Sequence, residues 1–134
     1  MRSKTAKTFA LAVLLVCLAI GARELADLRD RTRAKRTAGD MRQLSVILRS
    51  ENPPLLAPKD LQRLLAAKGY PDYSRDAWGR PIEVERIQRA SAAPSYVLRS
   101  LGKDGRRGKC CQRWLKEDWD SDAVLQDDTW LQIW

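Results

Sequence analysis

The hydrophobic and polar residues of this chain are arranged in three successive patterns, and the first pattern is an uncharged apolar run. This run extends from Phe9 to Ala22, after a basic start and before Arg23 and Glu24. A positive start followed by a run of this length is typical of a secretory signal or a membrane anchor. As a helix of about 14 residues it reaches about 21 Å, less than the ~30 Å of a hydrocarbon core. A cleaved signal peptide, a retained anchor and a buried soluble helix therefore all stay open for residues 1–22.

The second pattern is a charged stretch that predicts a helical stalk over residues 23–51. Apolar residues recur on one face of its C-terminal half, at Met41, Leu44 and Leu48. Such spacing is typical of an amphipathic helix, so this half is expected to pack on a sheet while the first half projects. Asn52-Pro53-Pro54 is expected to end the helix, because proline cannot donate a backbone hydrogen bond.

The third pattern is a short second helix followed by two strands. Pro58 opens the helix, Leu61, Leu64 and Leu65 form its buried face, and Gly69 suits the left-handed position that closes it. Partial alternation predicts one strand around Ile82 and Val84 and a second with Tyr96, Leu98 and Ser100 on one face. A loop longer than the tight types is expected to join these strands as an antiparallel hairpin.

A turn is predicted immediately before the first strand. The side chain of Asp76 can accept hydrogen bonds from nearby amides, and Gly79 can take a positive φ. Pro81 has no amide hydrogen to donate to a ladder, so the strand that it enters should lie at the edge of the sheet. Trp78 is expected to close the end of the sheet against the long helix.

Composition removes several classes of chemistry. The chain has 134 residues, a net charge of +8 and no histidine. Without histidine, Ser-His and Cys-His nucleophilic catalysis and most zinc sites are excluded. The acid pairs Asp127/Asp128 and Asp120/Asp122 are the remaining candidates for catalysis, but adjacent acids point poorly at one substrate, so no enzyme is predicted. The basic charge favours an anionic partner, yet acids interrupt it, so nucleic-acid binding is not expected.

Two short motifs carry a resemblance to a known family. The motifs are Asp76-x-Trp78-Gly79-x-Pro81 and Tyr96-x-Leu98-x-Ser100-Leu101-Gly102-x-Asp104-Gly105. Their order and spacing resemble the C-terminal domain of the major pseudopilin of type II secretion, within the type IV pilin-like family. The resemblance implies a pilin-like α+β fold, with a long N-terminal helix packed on a small antiparallel sheet and a short second helix. Residues 52–134 would form the globular head, with a long C-terminal loop.

The same resemblance implies a calcium site. Asp104 would supply a carboxylate, Leu101 a backbone carbonyl, and Asp127 and Asp128 would close the site from the far end of the loop. Gly102 and Gly105 would let the backbone bend around the ion. A turn-capping Asp104 with a solvated acidic tail is the alternative, and Asp120-Ser121-Asp122 is an alternative source of ligands.

The function implied by the resemblance is structural. The chain would assemble with other pseudopilin or secretion-machine subunits, anchored in a bacterial inner membrane with a periplasmic head. It departs from the family at Thr8 and Val13, where the family has glycine and glutamate. The alternative is a signal-cleaved periplasmic binding module that applies its basic, tryptophan-rich tail to an acidic partner. The adjacent Cys110 and Cys111 are poorly placed to bridge each other, and one of them could pair with another chain.

Overall fold

The computed structural model describes residues 2–53, 57–88, 93–108 and 121–133. These residues form an α+β fold with a long N-terminal helix, a second helix and a four-stranded antiparallel sheet. The helices are α1 (Arg2–Glu51) and α2 (Pro58–Ala67), and a 3₁₀ turn follows at Pro71–Ser74. The strands are β1 (Glu83–Ile87), β2 (Ser95–Ser100), β3 (Ala123–Gln126) and β4 (Thr129–Gln132). The predicted fold class is confirmed at this level.

The chain divides into two compact units, residues 1–32 and residues 33–134. The first unit consists of the N-terminal part of α1. Its large apolar side chains between Phe9 and Ile20 are between 46 % and 73 % exposed. No proline interrupts this part of the helix, and alanine and leucine, the strongest helix formers, recur along it.

The second unit contains the hydrophobic core. The C-terminal part of α1 contributes Met41, Leu44 and Leu48, all fully buried, as their spacing predicts. These side chains pack with buried residues of α2, of the sheet and of the turn before β1, namely Leu61, Leu65, Ile82, Tyr96, Leu98, Ala123 and Leu125. One face of a helix and one face of a small sheet thus share a single core.

The end of α1 is fixed by its contacts with β2. Asn52 adopts a left-handed conformation with φ of 42°, which ends the helix after Glu51 as predicted. The Tyr96 hydroxyl donates to the Pro53 carbonyl at 3.1 Å and lies 3.3 Å from Asn52 Oδ1. The residues that stop the helix therefore also attach it to the second strand.

Helix α2 has the boundaries that its flanking residues predict. Pro58 occupies the first turn, where its missing amide hydrogen leaves no helical bond unmade. Gly69 has a φ of 83°, and the helix ends just before it. Leu61 and Leu65 are buried and Leu64 is half-buried, so the predicted apolar face is confirmed.

The sheet has the strand order β1-β2-β3-β4, and every neighbouring pair is antiparallel. The predicted hairpin is present as β1 and β2, paired from Glu83↔Arg99 to Ile87↔Ser95. Pro81 forms an isolated bridge with Arg75 just before β1, which is an edge strand as expected.

A second hairpin lies in the region where a long C-terminal loop is predicted. Strands β3 and β4 pair across the two-residue turn Asp127-Asp128. Asp127 has a φ of 53°, a conformation that aspartate tolerates better than most residues. The segments on either side contain valine, threonine and tryptophan, which favour strands. The described part of the head therefore has four strands, and residues 109–120 of the predicted loop lie outside the described residues.

Candidate functional site

The carboxylate of Asp76 joins the turn before β1 to the end of β2. One oxygen accepts hydrogen bonds from the amides of Trp78 at 3.0 Å and Arg80 at 2.9 Å. The other oxygen accepts from the Ser100 hydroxyl at 2.9 Å, and Asp76 is only 5 % exposed. A charged acceptor with three donors in a buried place is strongly held, so this residue fixes both segments at once.

A second contact joins the same two segments. The Arg80 guanidinium donates to the carbonyl of Gly102, just beyond β2. Gly105 has a φ of 69°, and a Cβ added there would collide with the Arg80 side chain. The backbone conformation therefore favours glycine here, and a larger residue would also displace the end of the Arg80 side chain. The two sequence motifs, distant along the chain, are neighbours in the fold.

This turn is also attached to the long helix. The Ala77 amide donates to the Thr37 hydroxyl of α1 at 2.9 Å, and Thr37 is fully buried. Gly79 has a φ of 82°, as its place in the turn predicts, and its amide donates to the Asp76 carbonyl at 2.9 Å. Trp78, predicted to close the end of the sheet, is half-buried in this turn. We call Thr37, Asp76, Arg80, Ser100 and Gly102 the head junction.

The β3–β4 turn makes a second attachment to α1. The Asp127 carboxylate accepts from the Tyr96 amide at 3.0 Å and from the Ser95 hydroxyl at 2.7 Å. Its backbone carbonyl accepts a hydrogen bond from the Ser45 hydroxyl. Asp128 forms an exposed ion pair with Arg49, with 2.6 Å between the closest charged atoms.

Trp130, in β4, lies beside this second attachment. The Arg42 guanidinium carbon lies 5.8 Å from the centre of its ring, within the range of a cation–π contact. Trp130 is also packed against the hydrophobic core. Trp130, a tryptophan of the predicted tail, thus makes these contacts within the head.

The four residues predicted to bind calcium are not brought together. Asp104 accepts from the Arg106 amide at 2.8 Å and so caps its own turn, next to Leu101. Asp127 lies beside Tyr96, at the opposite end of β2 from Leu101. Five residues of strand span about 16 Å, far beyond the 2.3–2.6 Å at which oxygens coordinate calcium.

The remaining acids do not complete a metal site within the described structure. In residues 2–53, 57–88, 93–108 and 121–133, no group of three or more acidic or cysteine side chains is placed to hold a metal ion. The carboxylate of Asp122, from the alternative ligand set, accepts hydrogen bonds from other residues of the protein. Asp120 lies outside the described residues. The predicted calcium ligands therefore lie in two separate places among the described residues, and calcium binding stays a prediction.

Asp122 instead belongs to an ion network that sequence reasoning missed. Its side chain is 1 % exposed and accepts from Arg99 at 2.7 Å and from the Gly108 amide at 3.2 Å. Glu83 lies opposite Arg99 in the sheet and pairs with Arg107 at 2.8 Å. The network holds the loop after β2 against the end of the sheet where β1 begins and β2 ends. Glu83 and Arg99 lie in the two predicted strands, but their pairing depends on a strand register that no local pattern specifies.

One acid in the head is destabilised in its charged form. Burial raises the pKa of Asp40 above its ordinary value of 3.8, the Arg36 guanidinium lowers that pKa, and the nearby Asp72 carboxylate raises it. The nearest charged atoms of Arg36 and Asp40 are 3.7 Å apart. Asp40 is thus near enough to Asp72, in the 3₁₀ turn, to be affected by a second negative charge.

The apolar run of α1 is the candidate membrane segment. Among the described residues, one helix is long and apolar enough to cross a membrane, and this run lies in it, near the N-terminus. None of its apolar window is buried within the protein. Length and composition are compatible with an anchor and with a signal sequence alike.

Together these features define an α+β domain that follows an exposed apolar helix. Acidic side chains of the domain accept hydrogen bonds that hold its own segments together. Five of the acids described above, Asp76, Asp104, Asp122, Asp127 and Asp128, accept hydrogen bonds from the protein. Comparison with protein-family models, with curated proteins and with solved structures gave no match.

Proposed function

We propose that the chain is a pseudopilin-like structural subunit, or an accessory protein, of a type II secretion or type IV pilus-like machine. It would act by assembly and by protein–protein contacts, without bond chemistry. The observation that carries this proposal is the difference in side-chain burial between the two parts of α1. Its leucines near residue 14 are exposed, whereas those near residue 44 form the core beneath the sheet.

The pilin-like arrangement has specific support in the head. Two separate turns, at Ala77 and at Asp127-Asp128, attach the sheet to α1 through Thr37, Ser45 and Arg49. A sheet held at both ends to a helix transmits force between the helix and the head. This rigidity suits a subunit that is pushed or pulled as part of a larger assembly.

The orientation proposed for the apolar run follows from its likeness to an export signal. Arg2, Lys4 and Lys7 precede the run as a positive n-region does. Six lysine or arginine residues follow the run between Arg23 and Arg36, so the charge count is not the basis of this orientation. The head would then lie outside the cytoplasm, in the periplasm of a bacterium. Because the run is short for a lone span, tilting or neighbouring helices would complete its burial.

A signal-cleaved periplasmic module is the competing function, and the short length of the run is the observation that favours it. Such a protein would lose residues up to about Arg23 and keep only the head and stalk. Its tail would be available for an acidic partner.

A complementation experiment in the source bacterium separates these functions. Deleting the gene is expected to abolish release of the machine's substrate proteins into the medium, and the full chain is expected to restore it. A variant with residues 1–22 replaced by an efficiently cleaved signal should reach the periplasm without restoring release. Full restoration by that soluble variant would contradict the proposal and support the binding module.

A further inference from the structure

The exposed leucines of the first unit form a seam with a seven-residue repeat. Between Phe9 and Leu28 there are six leucines, and five of them occupy positions a and d of consecutive heptads. The a positions are residues 11, 18 and 25, and the d positions are 14, 21 and 28. The leucine seam consists of Leu11, Leu14, Leu18, Leu25 and Leu28, with Gly21 at the remaining d position.

The seam continues beyond the apolar run into charged surroundings. Leu25 and Leu28 lie among acidic and basic residues, yet they are 50 % and 59 % exposed. The three seam leucines within the run, Leu11, Leu14 and Leu18, are exposed to a similar degree, between 55 % and 60 %. A membrane accounts for the exposure of the first three leucines, because every face of a spanning helix meets lipid. It does not account for the last two, which continue the same repeat outside the run.

We infer that the leucine seam docks, in parallel, against the same seam of a second copy of this chain. A spacing of 3.5 residues keeps one stripe facing a partner helix as the two helices supercoil. Under the proposed function every copy enters the membrane in the same orientation, so neighbouring copies present their seams in parallel. Gly21 has open space around the place where a Cβ would be, so it allows a close approach of the two helices.

Charges beside the seam match this parallel arrangement. Glu24 occupies position g, and Arg29 occupies position e of the following heptad, so each Glu24 faces Arg29 of the second copy. The pairing occurs twice in a symmetric dimer. Beyond Leu28 the leucine repeat ends, because Thr32 and Lys35 take the next a and d positions.

The inference rests on the proposed function, because a chain cleaved near Arg23 would lose three of the five leucines. Its test is disulfide cross-linking of the full chain in membranes, in a background where Cys17, Cys110 and Cys111 are serine. Two seam variants, Leu18→Cys and Leu25→Cys, are compared with two off-seam variants, Val16→Cys and Ala26→Cys. Membranes are oxidised with copper phenanthroline, and covalent dimers are measured on non-reducing gels.

The seam positions are expected to give about tenfold more dimer than the off-seam positions, because a disulfide requires Cα atoms within about 7 Å. In the Leu25→Cys background, Glu24→Arg should lower the dimer yield about fivefold by placing like charges together. Adding Arg29→Glu should restore the yield, because the reversed pair is again attractive.

Three results would overturn the inference. Equal yields at all four positions, a higher yield at the off-seam positions, or no dimer from a chain that remains in the membrane would each contradict the seam while leaving the anchor intact. A chain recovered without residues 1–22 would overturn both the seam and the proposed anchor. The mass of the recovered chain therefore distinguishes the two failures.

Discussion

Leu14 and Leu44 lie in the same helix, yet the first is 55 % exposed and the second is fully buried. Both residues are strong helix formers, so local propensity does not distinguish them. What differs is the pattern around each leucine. Near Leu44 the apolar positions occupy one face and meet a sheet, whereas near Leu14 they occupy every face. A helix that is apolar all round requires apolar surroundings on all sides, which under the proposed function are lipid and other helices.

The strongest test of this comparison is the same truncation made at both places. Leu44→Ala is expected to lower the free energy of unfolding of the head by about 3 kcal/mol, through lost burial and a remaining cavity. Leu14→Ala should leave that free energy unchanged, because Leu14 has no place in the head's core. Urea titration of the full chain in mild detergent, followed by tryptophan fluorescence, measures both. Equal losses at the two sites would show that the two parts of α1 share one core.

The next largest effect is expected at the head junction. Asp76→Ala would leave two amides and the Ser100 hydroxyl without their acceptor in a buried place. We expect a loss of about 3 kcal/mol in the free energy of unfolding. Asp104→Ala is the matched control, because Asp104 is exposed and caps only its own turn, and a loss below about 1 kcal/mol is expected there. Similar losses at the two aspartates would contradict the role of Asp76 in joining the turn before β1 to the end of β2.

The neighbours Asp127 and Asp128 provide a sharper comparison within one turn. Asp127→Ala is expected to cost about 2 kcal/mol, because it removes the acceptor of the Tyr96 amide and the Ser95 hydroxyl. Asp128→Ala removes only an exposed ion pair with Arg49, for which about 0.5 kcal/mol is expected. High salt should reduce the second effect and leave the first nearly unchanged. The reverse ranking would contradict the described geometry of the β3–β4 turn.

The smallest expected effect concerns Asp40 and has the opposite sign. Because the pKa of Asp40 is raised in the folded head, the folded state binds its proton more tightly than the unfolded state does. Stability is therefore lost as pH rises from 3.8 through the raised pKa, and the charged form is a penalty at neutral pH. Asp40→Asn should raise the melting temperature slightly at pH 7, and the gain should disappear near pH 3. A lower melting temperature at pH 7 would show that the ion pair with Arg36 outweighs burial.

Sequence reasoning was most successful where periodicity and turn chemistry agreed. The core face at Met41, Leu44 and Leu48 follows from helical spacing alone. The first hairpin follows from alternation, and the left-handed Gly79 follows from its place in a turn. These features depend on neighbours within a few residues, which a sequence displays directly.

It failed where the outcome depends on pairing between distant segments. The β3–β4 hairpin lies where the sequence predicts a loop, because its two-residue turn, Asp127-Asp128, also matches an acidic pair expected beside a calcium ion. The sheet register places Asp127 beside Tyr96 and Leu101 at the other end of β2, and calcium binding by these residues stays a prediction. Strand register determines which oxygens meet, and no local pattern in this chain specifies it.

The intact mass of the chain, extracted from membranes of its source cell, tests whether the apolar run anchors the mature protein. We expect a protein that retains the apolar run, intact or beginning at Phe9, and that resists extraction with alkaline carbonate. A chain that begins near Arg23 and is recovered in the soluble fraction would contradict this expectation, because the exposed leucines of α1 would then play no part in the mature protein.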